Sequence, residues 1–184
     1  MNPIIFLGDS ITAAFPFDAL LKDFHIINKG ISGDRTDLVL ARLEPDVIQL
    51  QPSAVFILVG TNDLASFFSN DKLLINYEKI LFRLTRLQPP VRIFVQSILP
   101  TRNLENRPLE RIQLLNLELQ KLALRYGVDY LDLYPHFLNS SGELAEEFSE
   151  DGLHLTDKGY KQWALYLLPV LKTLQTKNNE TGID

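Results

Sequence analysis

The stretch Ile4-Ile5-Phe6-Leu7-Gly8-Asp9-Ser10 is an apolar run of strand length that ends in Gly-Asp-Ser, and the residues from Ile11 onward have a helical pattern. A serine at such a strand-to-helix junction lies at the carboxyl edge of a sheet, where open α/β sheets bind their ligands. Its hydroxyl also lies beside the free N–H groups that begin the helix, which favour an anion. On this stretch alone, the commoner role of such a serine is to cap the helix.

The rest of the chain alternates between strand and helix patterns. After the first strand, further strands are predicted at 25–28, 54–59, 91–98 and 128–132. Helices are predicted at 11–22 with an interruption at Pro16, at 38–50 with a break near Pro45, from a cap at Asn70 or Asp71 up to Pro89, at 109–126 before Gly127, and from Thr156 to about Leu174. This alternation predicts parallel β/α units joined by right-handed crossovers, so the fold class is α/β. We expect one three-layer α/β/α sandwich, a single domain over residues 1–175, followed by a disordered polar tail at 176–184.

Composition excludes several classes of function. The 184 residues include no cysteine, which excludes disulfides, thiolate catalysis and cysteine-ligated metals. The 18 basic and 23 acidic residues give a net charge of −5 without a basic cluster, so no nucleic-acid partner is expected. No apolar run approaches the ~18 residues of a membrane span, and the first strand begins too close to Met1 for a signal peptide. A cytoplasmic location is therefore expected.

Five residues at four places in the chain could supply chemistry, and they are predicted to meet at one edge of the sheet. Ser10 follows the first strand, Gly33 the second and Asn62 the third, while Asp151 and His154 precede the last helix. A hydrolytic serine needs a base to take its proton and a group that holds the base in one tautomer. His154 can be that base, and Asp151, three residues earlier, can share a face with it on a helical or turn-like segment.

Acyl transfer also needs hydrogen-bond donors where negative charge develops on the carbonyl oxygen. The backbone N–H groups of Ser10 and Gly33 and the side-chain amide of Asn62 are candidates for this oxyanion hole. Each position also has a plain structural interpretation when it is taken singly. Gly33 can serve a turn, Asn62 an Asx-turn, Asp151 a helix cap and His154 the surface. Their order in successive edge loops favours a catalytic interpretation.

Four short segments together resemble the blocks of the SGNH (GDSL-type) hydrolases. They are FLGDSIT at 6–12, NKGISGDRT at 28–36, GTND at 60–63 and DGLH at 151–154. The resemblance spans nearly the whole chain, without a departure at a catalytic position. It implies a flavodoxin-like five-stranded parallel sheet of order 2-1-3-4-5, hydrolysis of esters or thioesters, and no metal or other cofactor. The second block is most similar to the platelet-activating-factor acetylhydrolase catalytic-subunit branch of this family.

The resulting expectation is a serine ester hydrolase with short acyl or acetyl preference, acting on a small-molecule or lipid ester such as a lysophospholipid or a platelet-activating-factor-like substrate. Ile11, Thr61 and Leu153 flank the catalytic residues and could form the wall of an acyl pocket, or could be core. Arg102 and Arg107 could attract an anionic group, although solvated loop arginines are the commoner case. The resemblance also suggests a homodimer.

Other functions remain open from the sequence. A carbohydrate O-deacetylase or a thioesterase would use the same site. A metal-dependent phosphoesterase could use Asp9, Asp63, Asp151 and His154 as ligands. A non-catalytic binding module on the same scaffold is a third alternative, since fold does not fix function.

Overall fold

The computed structural model describes residues 2–180 of the chain, and their centre is a parallel sheet. Its five strands lie in the order β2-β1-β3-β4-β5. The strands are β1 (Ile4–Gly8), β2 (Ile26–Gly30), β3 (Ala54–Leu58), β4 (Arg92–Gln96) and β5 (Asp129–Leu131). The predicted α/β class and the strand order implied by the family resemblance are confirmed.

Helices cover both faces of this sheet. They are α1 (Ser10–Ala13), α2 (Phe17–Leu20), α3 (Thr36–Ala41), α4 (Leu43–Asp46), α5 (Thr61–Ala65), α6 (Asn70–Leu84), α7 (Leu109–Tyr126) and α8 (Asp157–Glu180). Apolar residues of α1, α2 and α8 belong to one core cluster, and those of α3 to α7 to the other. Both faces of the central strands are therefore buried, which explains their uninterrupted apolar sequences.

The two faces of the sheet carry different side chains. Phe6, Phe56 and Phe94 are in register on adjacent strands β1, β3 and β4. The ring centroids are 4.6 Å apart for the first pair and 4.4 Å for the second, with nearly parallel planes. Because side chains alternate along a strand, Ile5 and Val55 point to the opposite face, where the core is mainly aliphatic. The aromatic face lies under α1 and α8, the two helices next to the candidate site.

One predicted helix, at 109–126, has the expected boundaries, and the others differ. The predicted helix at 38–50 breaks at Arg42 and not near Pro45, and α6 ends at Leu84 before it reaches Pro89. α7 spans the predicted range and ends at Gly127, whose φ of +65° suits glycine. The predicted helix at 11–22 is two short helices separated at Pro16. The cap of α6 is Ser69, whose hydroxyl accepts a hydrogen bond from the Lys72 N–H at 3.2 Å, and not Asn70 or Asp71.

The last helix differs most from its prediction. α8 begins at Asp157, includes Pro169 and continues to Glu180, beyond the predicted end near Leu174. Residues 176–180, predicted to begin a disordered tail, are therefore helical, and residues 181–184 lie outside the described residues. Within the described part of the chain, none of the helices has the length and apolar character needed to cross a membrane.

Candidate active site

Ser10 is the first residue of α1, directly after β1. The helix cap is Asp9, because its Oδ1 accepts a hydrogen bond from the Ile11 N–H at 3.0 Å. The Ser10 hydroxyl is thus not needed as the cap, and it lies 3.1 Å from Nε2 of His154. The two residues are 144 positions apart in the chain.

His154 is held by a tight turn between the 149–151 segment and α8. Its Nδ1 lies 2.7 Å from Oδ2 of Asp151, while Oδ1 of Asp151 accepts the backbone N–H groups of Leu153 and His154 at 2.9 and 2.7 Å. The turn needs Gly152, because its φ is +79° and an added Cβ would lie 2.2 Å from the Arg102 carbonyl oxygen. The structure therefore brings together the three residues predicted as a triad.

The environment of Asp151 favours its charged form. Desolvation raises the pKa of the carboxyl, but the hydrogen bonds from the His154 ring and from the backbone of His154 and Leu153 outweigh it. The pKa of Asp151 is consequently held well below its ordinary value. A carboxylate that stays ionised in this position orients the imidazole and stabilises it when it takes a proton.

Gly33 and Asn62 follow the two strands that flank β1. The Ile31 N–H donates to the Gly8 carbonyl at 3.0 Å, which holds the loop after β2 beside the end of β1. Gly33 has a φ of +84° and open space around its Cα. Asn62, in the first turn of α5, donates from Nδ2 to the Asp34 carbonyl at 3.0 Å. The loops that carry the two predicted oxyanion donors are thus bonded to each other.

Two sets of contacts that sequence reasoning missed fix these loops. Asp63 accepts the Thr36 N–H at 3.0 Å and also its hydroxyl, which ties α5 to the start of α3. Burial raises the pKa of Asp63 despite these hydrogen bonds. Arg42 donates to Asp34 Oδ2 at 2.6 Å and to the carbonyls of Gly8 and Lys29 at 3.2 and 2.8 Å. Asp63 and Thr36 are 27 residues apart, and Arg42 reaches carbonyls 13 and 34 residues away, so no local pattern signals these contacts.

Arg102 and Arg107 are bonded to protein carbonyls rather than solvated. Arg102 donates to the Leu144 and Ser149 carbonyl oxygens at 3.1 and 2.6 Å, which holds the segment before Asp151. Arg107 donates from Nε to the carbonyl and hydroxyl oxygens of Thr61, both at 3.1 Å. The guanidinium groups of both arginines are thus bonded to the protein, whereas arginines in loops are more commonly solvated.

The predicted pocket residues do not form one exposed wall. Ile11 is 2% exposed and belongs to the aromatic-side core, and Thr61 is 3% exposed with its hydroxyl on Arg107. Packing and a hydrogen bond occupy these two side chains, and their role in an acyl pocket stays a prediction. Leu153 is half-buried.

An open groove of about 640 Å³ adjoins the Asp151–His154 pair. It is lined by Glu147, Glu150, Asp151, His154, Leu155, Thr156, Asp157 and Lys158. The groove is open to solvent beside the imidazole, and its lining does not include Ser10, Gly33 or Asn62.

The carboxylates proposed for the metal-dependent alternative do not converge. Asp63 is engaged by Thr36, and Asp9 caps α1 below the surface. Among residues 2–180, no group of three or more histidine, aspartate or glutamate side chains could hold a metal ion. Burial raises the pKa of Asp9 to about 7, and its Oδ2 has no hydrogen-bond partner.

Comparison with known proteins identifies the family. The model of the GDSL-like lipase/acylhydrolase family matches residues 6–162. The chain is 29% identical over 187 residues to the platelet-activating factor acetylhydrolase IB subunit alpha1 of Rattus norvegicus, covering 98% of this chain and 79% of that protein. It is 31% identical over 167 residues to the alpha2 subunit of the same species, covering 85% of this chain and 70% of that protein.

Solved structures agree with this assignment at the level of the fold. A GDSL-like lipase from Bacteroides thetaiotaomicron superposes with a TM-score of 0.84 at 24% identity, covering 94% of this chain and 88% of that one. The match of the family model over most of the chain confirms the resemblance seen in the four sequence blocks. The chain therefore belongs to the GDSL-like lipase/acylhydrolase family and is a hydrolase.

Proposed function

We propose that the protein hydrolyses short-chain carboxylic esters, acetyl esters above all, with Ser10 as nucleophile. The observation that carries the proposal is the hydrogen-bonded chain from Ser10 Oγ through the His154 ring to Asp151, with distances of 3.1 and 2.7 Å. In this arrangement one ring nitrogen faces the hydroxyl and the other faces a carboxylate, which is the geometry that activates a serine.

The reaction follows from these positions. His154 takes the Ser10 proton as the hydroxyl oxygen attacks the ester carbonyl, and the negative charge on the carbonyl oxygen is held by the N–H groups of Ser10 and Gly33 and by the Asn62 amide. His154 then gives its proton to the leaving alcohol as the C–O bond breaks. A water molecule then attacks the acyl-serine while His154 takes its proton. The bond between the acyl carbon and the Ser10 oxygen breaks, the acid leaves, and His154 gives the proton back to Ser10.

The acyl preference rests on the surroundings of the serine. Ile11 and Thr61 beside it are buried, which supports a small acyl site rather than a channel for a long chain. The curated relatives are named as acetylhydrolases, which supports acetyl as the acyl group.

Hydrolysis of p-nitrophenyl esters from acetate to decanoate, with and without a chelator, tests this proposal. The wild type is expected to cleave acetate fastest and to be insensitive to the chelator, and Ser10→Ala to lose at least about 10³-fold in kcat. The matched control is Ser140→Ala, an exposed serine in the turn at 139–142, which is expected to keep wild-type kcat. Thermal unfolding of each variant checks the fold. Chelator-sensitive cleavage that survives in Ser10→Ala would refute the serine mechanism.

A further inference from the structure

Arg107 reaches the predicted oxyanion donor from a different loop. It lies between β4 and α7, and its Nη2 lies 3.4 Å from Oδ1 of Asn62, which is 45 residues away in the chain. Its Nε donates to both oxygens of the adjacent Thr61 at 3.1 Å. One guanidinium therefore contacts two successive residues in the first turn of α5.

These contacts determine which way the Asn62 amide points. Oδ1 faces a guanidinium, which can only donate hydrogen bonds, and Nδ2 faces the Asp34 carbonyl, which can only accept them. If the amide were flipped, its NH2 group would face the Arg107 guanidinium and its oxygen would face the Asp34 carbonyl, so neither hydrogen bond could form. Nδ2 has two hydrogens, and in the described part of the chain only the Asp34 carbonyl accepts one of them. The second is available to a substrate.

The charge of Arg107 also acts at the site. Partial burial lowers the pKa of the guanidinium, while the carboxylates of Asp9 and Asp151 oppose that effect. Arg107 therefore interacts electrostatically with Asp9, which precedes Ser10, and with Asp151, which is bonded to His154. A cation bonded to Oδ1 polarises the amide, which makes its N–H groups stronger donors.

We propose that Arg107 is a positioning residue that holds the Asn62 amide with one N–H directed toward the carbonyl oxygen of the bound ester. The inference rests on the proposed serine ester hydrolase function. Arg107 acts through Asn62 and does not touch the reacting atoms. Arg107 therefore stabilises mainly the transition state, in which the carbonyl oxygen becomes negative, and contributes little to binding of the substrate in the ground state.

A double-mutant cycle on p-nitrophenyl acetate hydrolysis tests this inference. Loss of one oxyanion donor typically costs about 10²–10³ in rate. Misdirecting the Asn62 amide is expected to cost part of that, so Arg107→Gln should lower kcat about 10- to 100-fold and change KM less than about 3-fold. Arg107→Lys, which keeps the charge, should recover part of the loss. In an Asn62→Ala background, Arg107→Gln should cost less than about 3-fold, because the group it positions is gone.

The control is Arg111→Gln, another half-buried arginine near this edge. It donates to the Asn70 side chain at 2.7 Å and to the Phe68 carbonyl, and not to Asn62. It is expected to leave kcat within about 3-fold of wild type in both backgrounds. All rates are expressed per active serine, titrated with a fluorophosphonate, so that misfolded molecules do not count. If Arg107→Gln does not fold, Arg107→Lys carries the cycle, with an expected loss of about 3- to 10-fold that vanishes without Asn62.

Three results would overturn the inference. They are a wild-type kcat in Arg107→Gln, an equal loss with and without Asn62, and a raised KM at unchanged kcat, which would make Arg107 a substrate contact. Ser10→Ala in the same assay, with its rate expressed per mole of folded protein, separates this failure from that of the proposed function. If Ser10→Ala is inactive and the cycle shows no coupling, only the role of Arg107 is refuted.

Discussion

Replacing Asp9 with asparagine is expected to stabilise the protein more at pH 8 than at pH 5. The Asp9 side chain is fully buried beneath Ser10, with Oδ1 on the Ile11 N–H and no partner for Oδ2. Burial raises its pKa from 3.8 to about 7, assisted by the nearby Asp63 carboxylate and opposed by the Ile11 hydrogen bond and by His154. An asparagine at this position keeps the cap through its own Oδ1 and cannot ionise.

The magnitude follows from proton linkage. Between pH 3.8 and 7 the folded protein binds a proton at Asp9 that the unfolded chain has lost, so the free energy of unfolding falls as pH rises. One pKa unit corresponds to 1.36 kcal/mol. Relative to a carboxyl whose pKa does not change on folding, Asp9 therefore lowers the free energy of unfolding by about 1.7 kcal/mol at pH 5 and by about 4 kcal/mol above pH 7. The free energy of unfolding of Asp9→Asn, relative to that of the wild type, should therefore rise by about 2.5 kcal/mol from pH 5 to pH 8. For a chain of this size that is roughly 5–10 °C in Tm.

Urea unfolding of both proteins at the two pH values measures this difference. The asparagine Nδ2 also lacks a partner, but that cost does not depend on pH and cancels in the comparison. The control is Asp18→Asn on α2, an exposed carboxylate whose removal should change the free energy of unfolding by less than about 0.5 kcal/mol at either pH. A change in the free energy of unfolding caused by Asp9→Asn that is equal at pH 5 and pH 8, or less favourable at pH 8, would refute the reasoning.

Two further predictions concern packing around the site. Gly30→Ala would place a Cβ 2.2 Å from the Ala13 backbone nitrogen, so α1 must move. We expect the free energy of unfolding in urea to fall by about 1–3 kcal/mol and kcat to fall as well. Unchanged values of both would contradict the close approach. Trp163→Phe removes a buried hydrogen bond of 2.8 Å to Gln96 Oε1. It should lower the free energy of unfolding, followed by circular dichroism, by about 2–4 kcal/mol. Adding Gln96→Leu should recover part of that cost, and no recovery would mean that the loss is one of packing alone.

Much of the fold was predictable because its signals are local. The strands of residues 4–8 and 54–58 are apolar throughout, and the helix at 109–126 ends at a glycine. The alternation of strands and helices predicts the order of the edge loops, and it predicts that Ser10 and His154 lie at one edge of the sheet. The family match confirms the class of protein, while the roles of the site residues stay predictions.

Other features were not predictable because they depend on contacts between distant segments. Arg107 is bonded to residues 45 and 46 positions away, and a loop arginine carries no mark of such partners in its own sequence. Thr61 and Ile11 flank reactive residues in the sequence, but the three-layer packing turns their side chains inward. The Ser69 cap was missed because serine, asparagine and aspartate in succession all suit that position.

The distance in sequence between the two sides of the site has a consequence during synthesis. Ser10 and His154 are 144 residues apart, and the Tyr160 hydroxyl of α8 donates to the Ile11 carbonyl across 149 residues. At about 5–20 residues per second, a ribosome needs roughly 7 to 30 seconds to add the base after the nucleophile. On the proposed mechanism, the nascent chain stays inactive while its sheet assembles. The onset of ester cleavage in a translation reaction therefore reports the time at which α8, which is synthesised after all five described strands, docks on the sheet.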